Sequence, residues 1–324
     1  MVQRIVEAAQ IESLDQSAIP RLRMPERATV FAARAARLLQ LADASNPISG
    51  YLHLMAALAD AQQRVLTNFH APMPSRESIE LNQRHSMPIV PALTDARDPA
   101  WRDVLFMLLD DIDAAGALTP ALVQLVVRLR TTDAAALDAQ ADAILSLRFA
   151  EIDPAAAPFI MAALQVVWTD LASRIDMKDV PYLDTPGVCP VCGSVPVASI
   201  VRVGGAYEGY RYVQCGLCAT ELHVVRAKCS NCDSTKGIAY HAMSAVDARD
   251  EDKTELARKA PLKAESCDEC GTYRKIGYQD KAFDFEPYAD DLASLTLDLL
   301  MGDAGYRRAA PHPWLWPEQP KDER

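Results

Sequence analysis

Eight cysteines are the residues of this chain whose type and spacing could do chemistry. All of them lie between Cys189 and Cys270, in four C-x-x-C pairs with none left over: Cys189/Cys192, Cys215/Cys218, Cys229/Cys232 and Cys267/Cys270. Two residues between paired sulfurs let a tight turn aim both at one ion, so the pattern reads as thiolate ligands for two tetrahedral metal sites. A disulfide framework is the competing account, but it belongs to small exported domains. This chain has 324 residues, and its start, MVQRIVEAAQ, is not expected to direct export, because no apolar run follows its positive charge. Thioredoxin-type dithiols would each want a strand before them and a helix after, and no pair here opens a predicted helix.

The residues between the pairs supply the elements that position the sulfurs. Val195 to Val203 and Tyr210 to Val213 are rich in β-branched and aromatic types, with Gly204-Gly205 between them as a hairpin signal. Such a ribbon brings Cys189/Cys192 beside Cys215/Cys218. A second unit, with strands Gly237 to Met243 and Tyr273 to Tyr278 around a charged excursion, pairs Cys229/Cys232 with Cys267/Cys270. The hairpin favours this sequential pairing; first pair with third and second with fourth stays open. Gly193 and Gly271 follow the last cysteine of their pairs, where positive φ turns backbone N–H groups toward sulfur, while Ala219 and Asp233 fill that place in the other two. Four protein sulfurs close a site, so a hydrolytic metal centre, which keeps a position for water, is not expected. Zinc as a brace and rubredoxin-like iron both accept four sulfurs, and spacing alone puts zinc slightly ahead. A zinc brace contributes about 10 to 16 kcal/mol to folding in small peptides.

The remainder of the chain is a different kind of material. Residues 1–182 hold no cysteine and are rich in Ala and Leu at helical spacing. Helix starts are predicted at Thr29 (running through Ala44), Pro47 (to Phe69), Asp98-Pro99 (to Gly116), Thr119-Pro120 (to Leu129), Thr132 or Asp133, and Asp153-Pro154 (to Ile175). The stretch from Ala71 to Arg97 carries Pro72, Pro74, Pro88 and Pro91 and reads as a loop with one short helix. MKDVPYLDTPG is a linker into the first knuckle. Pro287 opens a helix whose apolar face takes Leu292, Leu295, Leu297 and Leu299 to Met301, and APHPWLWPEQP reads as an exposed, Pro-rich tail.

Composition limits the function classes. The chain is 50% hydrophobic with a formal charge of -11, which suits ordinary cores and argues against a protein held by nucleic-acid phosphates. Residues 187–281 hold 13 basic and 12 acidic side chains, without the basic footprint of a nucleic-acid ribbon. Tyr207, Tyr210 and Tyr212 read as sheet surface before base-stacking groups. No uncharged apolar stretch reaches the roughly 18 residues of a membrane span, so no membrane insertion is expected. Histidines 53, 70, 85, 223, 241 and 312 are dispersed; His223, near the third knuckle, is the one worth following, with a structural role the simpler account. Asp290-Asp291 suits a helix amino terminus better than an acid/base pair. There is no nucleophile elbow, P-loop or dinucleotide fingerprint, and no catalytic residues are assigned.

The Ala-rich helical half, CPVCGSVPVAS, CGLCATELHVVRAKCSNC, KAESCDECGTYRKIGYQDK and ADDLASLTLDLLM with its PWLWP tail together resemble the formate dehydrogenase accessory protein family, FdhE. The resemblance runs from about Phe31 and is densest from Cys189 to Leu300. It implies a cytoplasmic, non-enzymatic factor for the maturation of respiratory formate dehydrogenase. Its partner would be the catalytic subunit of that enzyme, and iron would sit in rubredoxin-like sites with a suspected redox role. All eight cysteines match the family's ligand positions, which moves the metal expectation from zinc to iron, with zinc as the alternative. A rubredoxin-like electron carrier and a zinc-ribbon nucleic-acid-associated protein are the competing functions.

The expected fold class is an α+β multidomain chain. An all-α domain over residues 1–182 precedes two rubredoxin-like or zinc-ribbon-like four-cysteine modules, over 183–226 and 227–281. A carboxy-terminal helix and Pro-rich tail occupy 282–324.

Overall fold

A computed structural model describes residues 19–316 apart from 95, 96, 115, 117, 184 and 245–248. The opening MVQRIVEAAQ and the last residues of the tail lie outside the described residues. The amino-terminal half is helical: α1 Val30–Leu41, α2 Ser49–Asn68, α3 Arg76–Arg84, α4 Ala100–Ala114, α5 Pro120–Thr131, α6 Ala134–Leu145 and α7 Ala157–Ser173. Several starts sit where the sequence puts them, because the capping side chains take up the free N–H groups of the first turn. Thr119 accepts from the Leu122 N–H at 3.3 Å and Asp133 from the Ala136 N–H at 2.9 Å. Thr29 holds its predicted position, but its hydroxyl caps nothing and α1 ends at Leu41, short of Ala44.

Helix α7 is the axis of this half. Its residues from Ala157 to Ala172 are all buried, as an apolar-all-round helix must be. It packs against α2, α4 and α6. Asp170, fully buried in it, is held by Arg27 and Arg174 and accepts the Ala71 N–H at 2.8 Å.

The second half is built on β strands: β2 Pro196–Val201, β3 Arg211–Cys215, β4 Glu221–His223, β5 Ile238–His241, β6 Leu262–Cys267 and β7 Thr272–Tyr278, with a short β1 Leu22–Arg23 and β8 Arg307–Arg308. Among the described residues these form one sheet in the order β1-β4-β3-β2-β7-β6-β5, with β8 beside β7. Each ribbon is antiparallel within itself. They are joined by a parallel pairing of β2 with β7, Ser199 opposite Ile276. The charged excursion between β5 and β6 contains a helix, α8 Asp250–Lys259, that the sequence reading lacked.

The carboxy-terminal segment differs from expectation in two ways. The single predicted helix is broken into α9 Pro287–Ala293 and α10 Leu295–Asp303. At the break, the Ser294 hydroxyl donates to the Asp290 carbonyl at 2.7 Å, and the buried Lys275 ammonium donates to the Asp291 carbonyl at 2.7 Å and the Ser294 carbonyl at 3.1 Å. Side chains thus take carbonyls that a continuous helix would use. Leu297 and Met301 are buried, whereas Leu299 and Leu300 face solvent, so the apolar face is narrower than the sequence suggested.

Residues 310–316 are also not an exposed tail: His312, Trp314 and Trp316 are buried. The Tyr288 ring meets His312 and Trp314 edge-on, with the Arg34 guanidinium 4.0 Å from its centre. Tryptophan and proline made the segment a clamp between helix and sheet instead of a solvated end.

Asp290 and Asp291 also do more than favour a helix dipole. Asp290 grips Arg37 of α1 through two bonds of 2.8 and 2.7 Å, and Asp291 pairs with Arg308 at 2.6 Å. The Arg37 pair ties α9 to the helical half. Gly277 in β7 allows Phe285 to lie on the sheet: a Cβ there would sit 2.0 Å from the ring.

Candidate metal centres

Each cysteine pair sits on the same kind of turn. In the first three, the first cysteine donates its N–H to the carbonyl five residues on: Cys189 to Ser194 at 2.9 Å, Cys215 to Thr220 at 2.9 Å and Cys229 to Ser234 at 2.8 Å; in the fourth, Cys267 faces Thr272, at the same spacing, as its partner in the β6–β7 ladder. The residue after the second cysteine is left-handed in every pair, with φ of +82° at Gly193, +58° at Ala219, +66° at Asp233 and +64° at Gly271. That conformation is unfavourable for alanine and uncommon for aspartate. It is held at two of the four positions without glycine. The turn also aims N–H groups at sulfur: Leu217 N lies 3.5 Å from Cys215 Sγ, and Asn231 N lies 3.4 Å from Cys229 Sγ.

The structure brings the eight sulfurs together in two groups, Cys189, Cys192, Cys215 and Cys218 in one and Cys229, Cys232, Cys267 and Cys270 in the other, each with its sulfurs within 4.8 Å of one another. This is the sequential grouping. Across the first group, Cys189 Sγ lies 3.6 Å from Cys218 Sγ, and Cys192 Sγ lies 3.4 Å from Cys215 Sγ. Across the second, Cys229 to Cys270 is 3.8 Å and Cys232 to Cys267 is 3.7 Å. A disulfide would need about 2.05 Å. A tetrahedron with metal–sulfur bonds of about 2.3 Å has edges of about 3.8 Å. The eight cysteines are free thiols spaced for an ion, and the four-sulfur donor set suits iron or zinc alike.

Electrostatics point the same way. Burial pushes the Cys189 and Cys215 thiols well up, and it lifts Cys229 to about 12. At Cys270 burial also opposes the charge, but bonds from the Thr272 hydroxyl and N–H, Cys232 and Asn231 together outweigh it and draw the thiol down to about 6. Four sulfurs so close together cannot all be anionic without a cation among them, which is the service a bound metal ion supplies.

Two hydroxyls repeat around the sites. Thr220 Oγ1 lies 3.2 Å from Cys218 Sγ, and Thr272 Oγ1 lies 3.1 Å from Cys270 Sγ. Sequence reading passed over both, although a Cys-x-Thr spacing after the second and fourth pairs was there to be read.

The first group is built into the helical half. Residues 88–92 run along its knuckle, with the Val90 N–H donating to the Val191 carbonyl at 2.8 Å and the Ala92 N–H to the Cys192 carbonyl at 2.9 Å. Trp168 of α7 donates to the Val90 carbonyl at 2.9 Å. On the other side, Gln165 Nε2 donates to the Gly216 carbonyl at 2.7 Å and to the Tyr288 hydroxyl at 2.6 Å, and Gln62 donates to Gln165 Oε1 at 3.1 Å.

His223 stands apart from both groups. It lies in β4 opposite Tyr212, with its ring edge-on to Tyr210 and Tyr212. Tyr207 and Tyr212 also meet edge-on, and the Tyr212 hydroxyl donates to the Pro20 carbonyl at 2.8 Å. Among the described residues no helix is long and apolar enough to cross a membrane.

A helical half docked on a sheet that carries two four-cysteine groups defines an α+β protein with two sites that could hold a metal ion. Sequence models of the FdhE N-terminal, central and C-terminal domains match residues 19–184, 188–226 and 227–315. The chain is 38% identical over 320 residues to the protein FdhE homolog of Cronobacter sakazakii, covering 97% of this chain and 98% of that one. It is 37% identical over 302 residues to protein FdhE of Escherichia coli, covering 92% of each. The crystal structure of the FdhE protein from Pseudomonas aeruginosa superposes with a TM-score of 0.77 at 34% identity, covering 93% of this chain and all of that one. The chain belongs to the FdhE family.

Proposed function

We propose that this protein is a cytoplasmic, non-enzymatic accessory factor in the maturation of respiratory formate dehydrogenase, and that it binds the catalytic subunit of that enzyme through a surface braced by two metal ions. Cys189, Cys192, Cys215 and Cys218 hold the first ion, and Cys229, Cys232, Cys267 and Cys270 the second. Iron is the preferred metal and zinc the alternative. The observation that carries the reading is the pair of four-sulfur groups within a chain of this family. Thiolate ligation by four sulfurs leaves ferric iron at -1 and zinc at -2. An iron site therefore changes charge on reduction and gives the surface a way to report redox state, whereas a zinc site is a brace only.

Expression in a bacterium deleted for its own family member tests the role. Formate-dependent dye reduction should return with the intact chain and stay absent when Cys215 and Cys218 are both serine. A tagged chain should retain the formate dehydrogenase catalytic subunit from the same cells. Dye reduction that returns equally with the serine variant, or an intact chain that retains no catalytic subunit, would overturn the reading. Visible absorption that bleaches with dithionite supports iron and the redox role; colourless protein with two zinc ions removes that role and keeps the brace.

A further inference from the structure

The two sulfur groups differ in their surroundings. In the first, Cys189 and Cys218 are 0% exposed and Cys192 and Cys215 are 1%. In the second, Cys229 and Cys267 are buried, but Cys232 and Cys270 are half-buried. The first group is walled by α7, by residues 88–92 and by Gln165. The second lies on the far ribbon, which ends in the edge strand β5, where Tyr240 is 43% exposed.

The second group also has a buried cation beside it. Arg274 in β7 is 5% exposed. Its Nε donates at 3.0 Å to the hydroxyl of Ser230, which sits between the ligand candidates Cys229 and Cys232, and its Nη1 donates to the Pro196 carbonyl. Thr272, two residues before it, is the hydroxyl beside Cys270. Among the described residues no carboxylate forms an ion pair with Arg274. Glu265 stands directly across the ladder, but it gives its carboxylate to the buried Arg211 at 2.6 Å. Glu265 is thus committed to Arg211, and Arg274 feels the charge of the buried Asp291 without bonding to it. Burial and the Arg211 charge push Arg274 down only to about 10, so it stays protonated at neutral pH. A buried cation with no carboxylate bonded to it is costly, and a four-thiolate metal cage, negative with either zinc or iron, is the further anion at hand.

We propose that the two cages are unequal by construction: the first is a permanent brace, the second is the one through which metal enters and leaves, and the Arg274 guanidinium is the second cage's fixed counter-charge. The inference rests on the reading that both groups hold metal. Incomplete burial of Cys232 and Cys270 gives a competing chelator its approach, whereas ligand exchange at the first cage requires the helical half to open. Arg274 acts on the metal through the Ser230 turn and through its charge, which makes it a positioning residue and not a ligand.

The full chain loaded with zinc and challenged with EDTA, with released metal followed by a colorimetric indicator, tests this. Two phases of one zinc per chain each are expected, with rates at least tenfold apart. Cys270→Ser removes the fast phase and leaves the slow one. Arg274→Met lowers zinc affinity at the fast site by about tenfold or more, as loss of an outer-shell partner does, and leaves the slow site unchanged. Arg274→Lys, which keeps the charge, restores most of that affinity. Arg274→Met also lowers the thermal midpoint more in the zinc-loaded chain than in the metal-free one, a difference that a packing role alone would not produce. Two zinc ions leaving together, a fast phase that survives Cys270→Ser, or an Arg274→Met change that weakens both sites alike would overturn the proposal. A chain that takes up no zinc or iron at all would overturn the metal reading beneath it as well.

Discussion

Replacing Gln165 with leucine would remove a side chain that joins α2, α7, α9 and the second cysteine knuckle. Its Nε2 donates to the Gly216 carbonyl at 2.7 Å and to the Tyr288 hydroxyl at 2.6 Å, and its Oε1 accepts from Gln62 at 3.1 Å. Gly216, Tyr288 and Gln62 are all buried, so water cannot replace the lost donor. Gln62 keeps its bond to the Ala162 carbonyl at 2.8 Å. The Gly216 carbonyl and the Tyr288 hydroxyl are left wanting, at about 1–3 kcal/mol each. After an offset for the apolar leucine, the net loss should be about 2–4 kcal/mol, a large share of the roughly 5–15 kcal/mol that holds a domain. Urea unfolding at a fixed metal load would show a lower midpoint with an unchanged slope. Adding Tyr288→Phe completes a cycle whose coupling should be at least about 1 kcal/mol, because both changes strike one network. A Gln165→Leu chain within about 0.5 kcal/mol of the parent, or a double variant whose losses simply add, would refute the reasoning.

Three other perturbations follow from the packing. Gly277→Ala forces a Cβ onto the buried Phe285 ring and should cost about 1–3 kcal/mol in thermal unfolding; the added change Phe285→Leu should recover part of it, and no recovery would mean that the ring is not the obstacle. Asp170→Ala leaves Arg27 and Arg174 facing an empty site and should cost about 3–5 kcal/mol by urea titration, against a negligible loss if the cluster only decorates the surface. His312 has its Nε2 at 3.0 Å from the Tyr288 carbonyl and its Nδ1 accepting the Trp314 N–H at 3.1 Å, and burial pushes it from 6.5 down to about 3. The unfolded chain therefore binds the extra proton first, and stability should fall as pH drops from about 6.5 toward about 3, with no such slope above that window. His312→Gln should flatten the decline in urea midpoints between pH 6.5 and 4; an unchanged slope would contradict a neutral, buried imidazole.

What could be read in advance was local. Cysteine spacing and a Gly-Gly turn are short-range signals, and they sufficed to group Cys189/Cys192 with Cys215/Cys218 and Cys229/Cys232 with Cys267/Cys270. Capping residues such as Thr119 and Asp133 marked helix starts for the same reason: the side chain and the N–H that it satisfies are three residues apart. What was missed depends on partners far along the chain. The parallel pairing of β2 with β7 that merges the ribbons joins residues more than seventy positions apart, and neither strand announces its neighbour. Residues 88–92 read as a proline-rich loop, and only contact with Val191 and Cys192 turns them into part of the first knuckle's wall. The carboxy-terminal tryptophans looked like an exposed tail because proline breaks periodicity; the pocket that buries Trp314 is made by Arg34 and Tyr288, supplied by distant elements.

X-ray absorption of the purified full chain, combined with its metal content, bears most directly on the claim that eight sulfurs form two closed cages within one sheet. The account predicts two metal ions per chain, each surrounded by four sulfur atoms at about 2.3 Å and no oxygen or nitrogen. A chain isolated without metal, with its cysteines joined in disulfides or with light-atom ligands replacing sulfur at either ion, would contradict it.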